Sequence, residues 1–368
     1  MRIAIVGAGA IGCYLGARLA QRGHDILLQG RAEQAAAISA SGLTVRWLDG
    51  HVERQSLRIT TDLRTIPDFI PEATLLTVKT QDVAEACAPL ADYAADTPTV
   101  TLQNGVQADD LAAAAVGRDR IVGGVAMLAV AYLRPGEIEA QFPGWLTLGE
   151  PWVHVVTPRI LALQLALRDA APTYVTADLR AARWGKLIAN LNNGLCAATG
   201  AAFPELARTA LGRRLSVALM REGAAVARAE GVRLGPEFTT LTSRTLRESP
   251  TTALIATLQG LMPTLVGALP LTLAEGVIAL AARTRAGRLP VRGSTWQSIA
   301  RGRATEIDYL NSEISRRGAR HGIPTPVNDR VTAVVREVSR THQFVTLETL
   351  AGWTPAPLIP QRAEGGNG

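Results

Sequence analysis

One amine and two amides between Trp184 and Gly194 form the clearest chemical pattern in this sequence. At about 100° per residue in a helix, Asn190 lies ~40° from Lys186, and Asn193 lies about 20° to its other side. The three polar side chains would therefore share one helix face. The predicted core-facing residues of this helix are Leu187, Leu191 and Leu195. A partly buried lysine has a lowered pKa, which suits a proton donor near neutral pH. A solvent-facing polar stripe would show the same spacing.

Polar residues also follow two predicted strands, where Lys79 ends one and Gln103-Asn104-Gly105 ends the next. Ligands of open parallel sheets bind beyond the carboxyl ends of the strands. Lys79 and Asn104 should therefore face one crevice. A simple turn would also explain the Asn104-Gly105 pair without any function.

A third polar cluster covers Ser294 to Gln297 and Gly302 to Asn311. Two helix-capping boxes are predicted here, one pairing Ser294 with Gln297 and the other pairing Thr305 with Asp308. Glu306 is not needed for either box and falls just inside a predicted helix start. Its carboxylate is therefore free to point at a site.

The N-terminus carries the glycine pattern G-x-G-x-x-G, which is weak alone but here follows a predicted strand and opens a predicted helix. Gly7 permits a tight turn, Gly9 lets the backbone approach a pyrophosphate, and Gly12 lets helix and strand pack closely. The helix start at Ala10 and Ile11 supplies N–H donors and a positive dipole for phosphates. This predicts a dinucleotide site. A structural glycine turn that binds nothing is the alternative.

The end of the second predicted strand indicates which dinucleotide is used. An NAD site has Asp or Glu there to accept from the ribose 2′-hydroxyl, whereas this sequence has Gln29-Gly30-Arg31. A guanidinium can meet a 2′-phosphate with a forked donor. Arg31 therefore favours NADPH over NADH, unless it is only a solvated charge at a helix start.

The elements around these residues alternate in the first half of the chain. Helical stretches separate the predicted strands, as in a doubly wound parallel sheet. The predicted strands are Ile3 to Val6, Asp25 to Gln29, Leu75 to Val78, Thr99 to Leu102 and Ile121 to Ala126. A small antiparallel meander should follow, broken at Pro135-Gly136 and Pro143-Gly144. Its predicted strands are Ala129 to Leu133, Ile138 to Phe142 and Leu146 to Leu148.

From about Leu179 the pattern is almost entirely helical. We place a domain boundary near Asp178, which gives an α/β domain over 1–178 and an all-helical domain over 179–354. Residues 355–368 have little to bury and are predicted to be a disordered tail.

Composition excludes several classes of protein. A chain of 368 residues with 47% hydrophobic and 19% charged residues is too apolar for a disordered protein. The three cysteines, Cys13, Cys87 and Cys196, are far apart, so neither a disulfide framework nor a structural zinc site is supported. The net charge of +6 is accompanied by only 4% aromatic residues. This combination favours an enzyme with anionic ligands over a nucleic-acid binder.

The start of the chain shows no signal peptide, so we expect a cytoplasmic protein. From Ser249 to Ala282 the sole charged residue is Glu275, but Pro263 and Pro270 would break a membrane-spanning helix. Buried helices or a subunit interface are the favoured interpretations of this stretch, and a homodimer is the preferred assembly.

Taken together, these clusters resemble the ketopantoate reductase (2-dehydropantoate 2-reductase) family over most of the chain. The matching strings are G-A-G-A-I-G at the N-terminus, V-K-T at Val78 to Thr80, Q-N-G at Gln103 to Gly105, W-x-K-L-x-x-N at Trp184 to Asn190, and G-R-x-T-E-I-D-x-x-N at Gly302 to Asn311. The resemblance implies a Rossmann domain followed by an all-α domain of the 6-phosphogluconate-dehydrogenase-like type, with the active site between them.

The resemblance also implies residue roles. Lys186 matches the catalytic lysine that protonates the developing alkoxide, and Glu306 matches the acidic residue that hydrogen-bonds the substrate and orients that lysine. The predicted substrate-binding residues are Asn104, Asn190 and Ser294, which match the family, and Asn193, which is one position from the family's second asparagine. With the residues argued from the glycine loop and the strand ends, the predicted cofactor-binding residues are Gly7, Gly9, Ala10, Ile11, Gly12, Arg31, Lys79, Gln103, Asn104 and Glu306.

Three positions depart from the family pattern. The second helix asparagine falls at Gly194, an aspartate falls at Ser298, and a common glycine falls at Ser312. The expected reaction is NADPH-dependent reduction of a 2-keto acid, most simply ketopantoate to pantoate in pantothenate biosynthesis. A relative that acts on another carbonyl or an imine, and a non-catalytic NADP-binding sensor, are the alternatives. Retention of both Lys186 and Glu306 argues against the sensor.

Overall fold

A single ten-stranded sheet dominates the N-terminal half of the molecule. The computed structural model describes residues 1–91, 97–235, 261–283 and 293–353. The strands are β1 (Arg2–Val6), β2 (Asp25–Gln29), β3 (Leu43–Arg46), β4 (Val52–Gln55), β5 (Arg58–Thr60), β6 (Ala73–Leu76), β7 (Thr99–Thr101), β8 (Ile121–Arg134), β9 (Glu137–Gly149) and β10 (Thr173–Val175).

The order of the main path is β4-β3-β9-β8-β7-β6-β1-β2-β5, and β10 pairs with β9. From β5 through β2, β1, β6 and β7 to β8, all neighbours are parallel. Ile3 to Val6 of β1 are almost completely buried, as expected for a central strand covered on both faces. The chain order reverses at β1, which makes the crevice beyond β1 and β6 the place where such sheets bind ligands. The predicted Rossmann-type fold is confirmed.

Helices flank the sheet and then form the second half of the chain. Those associated with the sheet are α1 (Ala10–Gln21), α2 (Ala32–Ser41), α3 (Ile66–Phe69), α4 (Val83–Cys87), α5 (Ala108–Val116) and α6 (Pro158–Leu167). Those that follow are α7 (Leu179–Thr199), α8 (Phe203–Arg208), α9 (Ala210–Ala229), α10 (Leu271–Arg283), α11 (Ser294–Ala300), α12 (Asn311–Arg320) and α13 (Pro326–Thr341), with a further helical stretch at 261–268.

The meander prediction was wrong. The predicted three short strands are one hairpin of two long strands, β8 and β9, which turns at Pro135-Gly136. Pro143-Gly144 lies inside β9, where the register shifts between Met127 and Ala129 of β8. Gly144 has φ +48°, and a Cβ there would collide with the carbonyl oxygen of Met127. The glycine thus forms a bulge that bends the strand without ending it.

Helix α7 is the centre of the helical half. Its apolar face, including Leu187, Leu191 and Leu195, is fully buried among the other helices, as its spacing predicts. Asp178 caps this helix, because its side chain accepts from the backbone N–H of Ala181 at 2.9 Å. The helix therefore begins where the boundary was placed, although the division into domains 1–178 and 179–354 stays a prediction. The predicted tail lies outside the described residues.

Across the described ranges, the helices are all too short or too polar to cross a membrane. The apolar stretch from Ser249 to Ala282 lies outside these ranges up to residue 260. From residue 261 it is described, and it contains the helical stretch at 261–268 and all of α10 except Arg283.

Candidate active site

Lys186 reaches from α7 to the edge of the sheet. Its Nζ donates to the carbonyl oxygen of Ala126 on β8 at 2.7 Å. The pKa of Lys186 is lowered to about 8, chiefly by burial and next by the nearby positive charge of Arg183, while the carboxylate of Glu306 opposes both effects. Near neutral pH this amine is therefore a proton donor that can also be deprotonated, as a general acid requires.

Glu306 joins the helical half to the sheet half. It is buried, and it lies immediately before a short 3-10 helix, Ile307–Tyr309. Its Oε1 accepts from the backbone N–H of Thr80 at 3.1 Å and from the Thr80 hydroxyl at 3.0 Å. Its Oε2 accepts from Nδ2 of Asn104 at 3.4 Å. The carboxylate thus lies beyond β6 and β7, at the edge where the crevice was expected.

A chain of amides connects this carboxylate to α7. Nδ2 of Asn190 donates to Oδ1 of Asn104 at 3.3 Å, and Nδ2 of Asn193 donates to Oδ1 of Asn190 at 3.3 Å. Asn190 and Asn193 therefore share one face of α7, as their spacing predicts. The structure brings Asn104, Asn190, Asn193 and Glu306 into one hydrogen-bonded cluster.

The packing around Gly194 explains why the second asparagine of this helix is at position 193 and not at position 194, where the family pattern has it. A Cβ at Gly194 would collide with Oδ1 of Asn311 and would lie 2.7 Å from Val331. The helix packs too closely there for any side chain. Asn193 points toward the cleft instead, where Gly293 packs so closely that a Cβ on that glycine would lie 2.6 Å from Oδ1 of Asn193.

Lys79 crosses the cleft from the sheet side. Its Nζ donates to Oγ of Ser298 at 2.8 Å and to the carbonyl oxygen of Ala304. Burial lowers the pKa of Lys79, and Glu306 partly opposes that effect. Ser298, which stands where the family pattern has aspartate, therefore gives this ammonium a neutral hydrogen-bond partner.

Ser294 and the two capping predictions need correction. Helix α11 begins at Ser294 with Gly293 as its N-cap, and no side chain caps it. The 3-10 helix begins after Glu306, also without a side-chain cap, so Thr305 and Asp308 do not form the predicted box. Ser294 is exposed on the first turn of α11. Its carbonyl oxygen accepts from the Ser298 hydroxyl at 2.9 Å, so it touches the site through that residue.

The glycine loop has the geometry of a phosphate cradle. Gly7 has φ +112°, and a Cβ there would lie 2.6 Å from the backbone nitrogen of Val78. A Cβ at Gly12 would collide with the Gly7 carbonyl oxygen, whereas a Cβ at Gly9 would meet nothing within 4 Å. The first turn of α1, with Ala10 and Ile11, carries no acidic residue. Open space beside Gly9 at a helix N-terminus fits a bound pyrophosphate.

Arg31 lies next to this loop. The backbone N–H groups of Gly7 and Ala8 donate to the carbonyl oxygen of Gln29 at 3.0 and 2.7 Å, so the end of β2 touches the loop. Arg31 precedes α2 with its side chain 72% exposed and 3.8 Å from Asp82. Its guanidinium is thus loosely held and accessible to an anionic group bound at the loop.

Gln103 is hydrogen-bonded within the sheet half of the molecule. Its Nε2 donates to the carbonyl oxygens of Leu76 and Val78 at 3.0 and 3.1 Å, and the side chain is buried. In this arrangement it ties the end of β7 to the end of β6.

Arg183 was missed by sequence reasoning, because no local pattern marks it. Thr80 was noted only as part of the V-K-T string, and Ser298 only as a departure from the family pattern. All three are placed by contacts across the cleft or the sheet edge. The residue composition gives a further reason to assign a function to the two lysines. Lys79 and Lys186 are the only lysines among 38 Lys and Arg residues. A chain that uses arginine at every other basic position has kept lysine where a compact, titratable ammonium is useful.

Comparison with known proteins gives the same picture. Residues 3–152 match the family model described as ketopantoate reductase PanE/ApbA, and residues 178–339 match its C-terminal counterpart. The chain is 26% identical to a 2-dehydropantoate 2-reductase from Pyrococcus horikoshii over 344 residues, covering 91% of this chain and 97% of that protein.

Two solved structures are similar over nearly their whole length. A PanE/ApbA family ketopantoate reductase from Ralstonia eutropha JMP134 is 29% identical with a TM-score of 0.73, covering 93% of this chain and 100% of that one. A D-mandelate dehydrogenase in complex with NADH and anilino(oxo)acetate has the same TM-score of 0.73 at 22% identity, covering 93% of this chain and 99% of that one. The latter shows the shared fold alone.

The two family models together span both halves of the chain, and the cleft holds the lysine, glutamate and amides expected of them. The chain belongs to the ketopantoate reductase family and is an oxidoreductase that acts on CH–OH/C=O groups.

Proposed function

We propose that this chain reduces a small 2-keto acid to a 2-hydroxy acid with NADPH, and that the substrate is 2-dehydropantoate, giving pantoate for pantothenate biosynthesis. The observation that carries this proposal is the placement of Lys186 and Glu306 in one cleft beyond the carboxyl ends of β6 and β7. The family membership and the 2-dehydropantoate 2-reductases among its relatives support it.

The reaction needs positive charge and hydrogen-bond donors at one oxygen atom. NADPH, when bound, supplies the hydride for the carbonyl carbon. Negative charge then grows on the carbonyl oxygen, and the Lys186 ammonium stabilises and protonates it. Asn104, Asn190 and Asn193 supply amide donors for the substrate, and Glu306 holds Asn104 while its charge keeps Lys186 protonated.

The same arrangement predicts how the rate depends on pH. The active form of Lys186 is protonated, so kcat/KM should be constant below pH 7 and should fall as the pH rises through the lysine pKa of about 8. An initial-rate series from pH 6 to pH 10 at saturating NADPH checks this. A rate that stays level to pH 10 would exclude a group of this pKa as the acid.

Arg31 should determine the choice between NADPH and NADH. Arg31→Ala should raise KM for NADPH roughly tenfold or more, because a charge-assisted bond to the 2′-phosphate is lost, and should barely change KM for NADH. Arg22→Ala, an exposed arginine at the far end of α1, is the matched control. An equal rise for both cofactors would show that Arg31 does not recognise the 2′-phosphate.

The substrate is tested by following NADPH oxidation with a panel of 2-keto acids that includes ketopantoate. Ketopantoate should give the highest kcat/KM. Ser298 in place of aspartate and the shift of an amide to Asn193 favour one other candidate, a different carbonyl or an imine. Turnover of such compounds without turnover of ketopantoate would support that candidate, and NADPH binding without turnover of any compound would support a sensor.

A further inference from the structure

We infer that Arg183 is a positioning residue of this active site, which holds the Asn104 turn against α7 and places a fixed positive charge behind Lys186. This inference rests on the proposed role of Lys186 as the acid. It adds a residue that no motif marks, and it gives a buried ion pair a function in the reaction.

The guanidinium of Arg183 is buried and makes its contacts through its two terminal nitrogens. The side chain is only 3% exposed, and its Nη2 donates to Oδ1 of Asp109 at 2.6 Å and to the hydroxyl of Thr101 at 2.8 Å. Nη2 also donates to the carbonyl oxygen of Thr101 at 3.3 Å, and Nη1 donates to that of Gln103 at 3.2 Å. One guanidinium from α7 thus holds the end of β7 and the start of α5.

The contact with Gln103 connects Arg183 to Asn104, one of the proposed substrate-binding residues. Gln103 immediately precedes Asn104, whose side chain lies between Glu306 and Asn190. Gln103 is itself fixed to β6 through its amide group. Arg183 therefore fixes the backbone of the turn that carries Asn104, and α7 presents both Arg183 and Asn190 to that turn.

The second role is electrostatic. Arg183 precedes Lys186 by one helical turn, and like charges in a low-dielectric setting disfavour each other. Among the described residues, the charged groups acting on Lys186 are Arg183 from α7 and Glu306 from the segment before the 3-10 helix, while β8 contributes the Ala126 carbonyl oxygen. Asp109 on α5 faces Arg183 and partly balances it. The guanidinium thus favours release of the lysine proton when the substrate oxygen needs it.

A purely structural ion pair between α7 and the sheet is the competing explanation. It would affect the stability of the protein and leave the titration of Lys186 unchanged. A direct measurement of that titration separates the two explanations, and it does not depend on turnover.

The experiment uses full-length protein labelled with ¹³C at lysine Cε, whose chemical shift follows the charge of the amine. Lys79 and Lys186 give two signals, and Lys79→Arg assigns them. Asp109→Asn retains an oxygen acceptor for Arg183 and serves as the reference. The double variant Asp109→Asn/Arg183→Met then removes the arginine charge without leaving a buried carboxylate unpaired. The lysine pKa should be higher in the double variant by about half a unit or more.

Arg183→Lys separates charge from geometry. It retains a positive charge and loses the fork that reaches Asp109 and Gln103 together. The Lys186 signal should then titrate close to its wild-type pKa, while KM for the 2-keto acid rises severalfold because the Asn104 turn is loosened. Equal Lys186 titration in Asp109→Asn and in the double variant, or an unchanged KM in Arg183→Lys, would overturn the inference.

Failure of the proposed function has a different signature. If Lys186 is not the acid, its signal still shifts in the double variant, but the pH dependence of kcat/KM does not shift with it. Thermal denaturation of each variant shows that it is folded before titration. If the double variant does not fold, the two milder variants still test the inference, because Arg183→Lys keeps the positive charge and Asp109→Asn keeps the acceptor. Asp109→Asn alone should lower the pKa of Lys186, and a rise in that pKa would contradict the inference.

Discussion

Lys186→Ala should lower kcat for 2-keto acid reduction by about 10²–10⁴-fold, the usual contribution of one general acid. The variant removes both the proton donor and the positive charge beside the developing alkoxide. NADPH affinity should be nearly unchanged, because Lys186 lies on α7 and contacts β8 rather than the glycine loop. Steady-state kinetics and a fluorescence titration with NADPH check the two halves of this prediction.

Lys186→Arg separates the charge of the residue from its acidity. Arginine stays protonated throughout the accessible pH range and cannot act as the acid. We therefore expect Lys186→Arg to be severely impaired as well, and to lose the decline in rate above pH 8. A turnover number equal to that of the wild type in either variant would remove Lys186 from the mechanism.

Glu306→Gln should lower kcat/KM by roughly 10²-fold, because hydrogen bonds to a charged acceptor contribute about 1.5–3 kcal/mol. The carboxylate accepts from Thr80 on one oxygen and from Asn104 on the other. A glutamine can keep the first contact, but its amide nitrogen then faces the amide nitrogen of Asn104, donor against donor. The side chain of Asn104 therefore loses the hydrogen bond that orients it toward the substrate.

The loss of charge at Glu306 has a second consequence. Glu306 raises the pKa of Lys186, so its removal should move the decline of kcat/KM to lower pH. Asp308→Asn is the control from the same segment, since that carboxylate is exposed and pairs with Arg336 at the surface. An unchanged pH profile in Glu306→Gln would mean that the two groups are not coupled.

Local signals in the sequence were enough to predict the Rossmann core and the polar face of α7. The glycine loop could be predicted because Gly7 and Gly12 meet requirements set by residues close by, namely a positive φ and a close helix contact. The helix face could be predicted because Lys186, Asn190 and Asn193 are related by helical geometry alone.

Contacts between distant parts of the chain were not predictable in this way. Thr80 and Glu306 are 226 positions apart, and no residue pattern near Thr80 predicts that it pairs with a carboxylate. Pro143-Gly144 is a typical turn signal, but pairing with β8 carried the strand through it as a bulge. Ser294 was expected to cap a helix by its side chain, yet the chain enters α11 through Gly293, which packs against Asn193.

The departures from the family pattern also depended on packing. Gly194 is explained by the closeness of Asn311 and Val331, and its neighbour Asn193 provides the amide. Ser298 lies next to Lys79, and its hydroxyl accepts a hydrogen bond from the ammonium where the family pattern would place a carboxylate. Ser312 has no structural explanation in the contacts of this region.

A crystal structure of the enzyme with NADP⁺ and a 2-hydroxy acid or a keto-acid analogue tests the central claim most directly. We expect Nζ of Lys186 within about 3 Å of the ligand oxygen on C2, with the nicotinamide ring on the other side of that carbon. A complex in which the closed cleft leaves this amine turned to solvent, with a different side chain donating to that oxygen, would contradict the account.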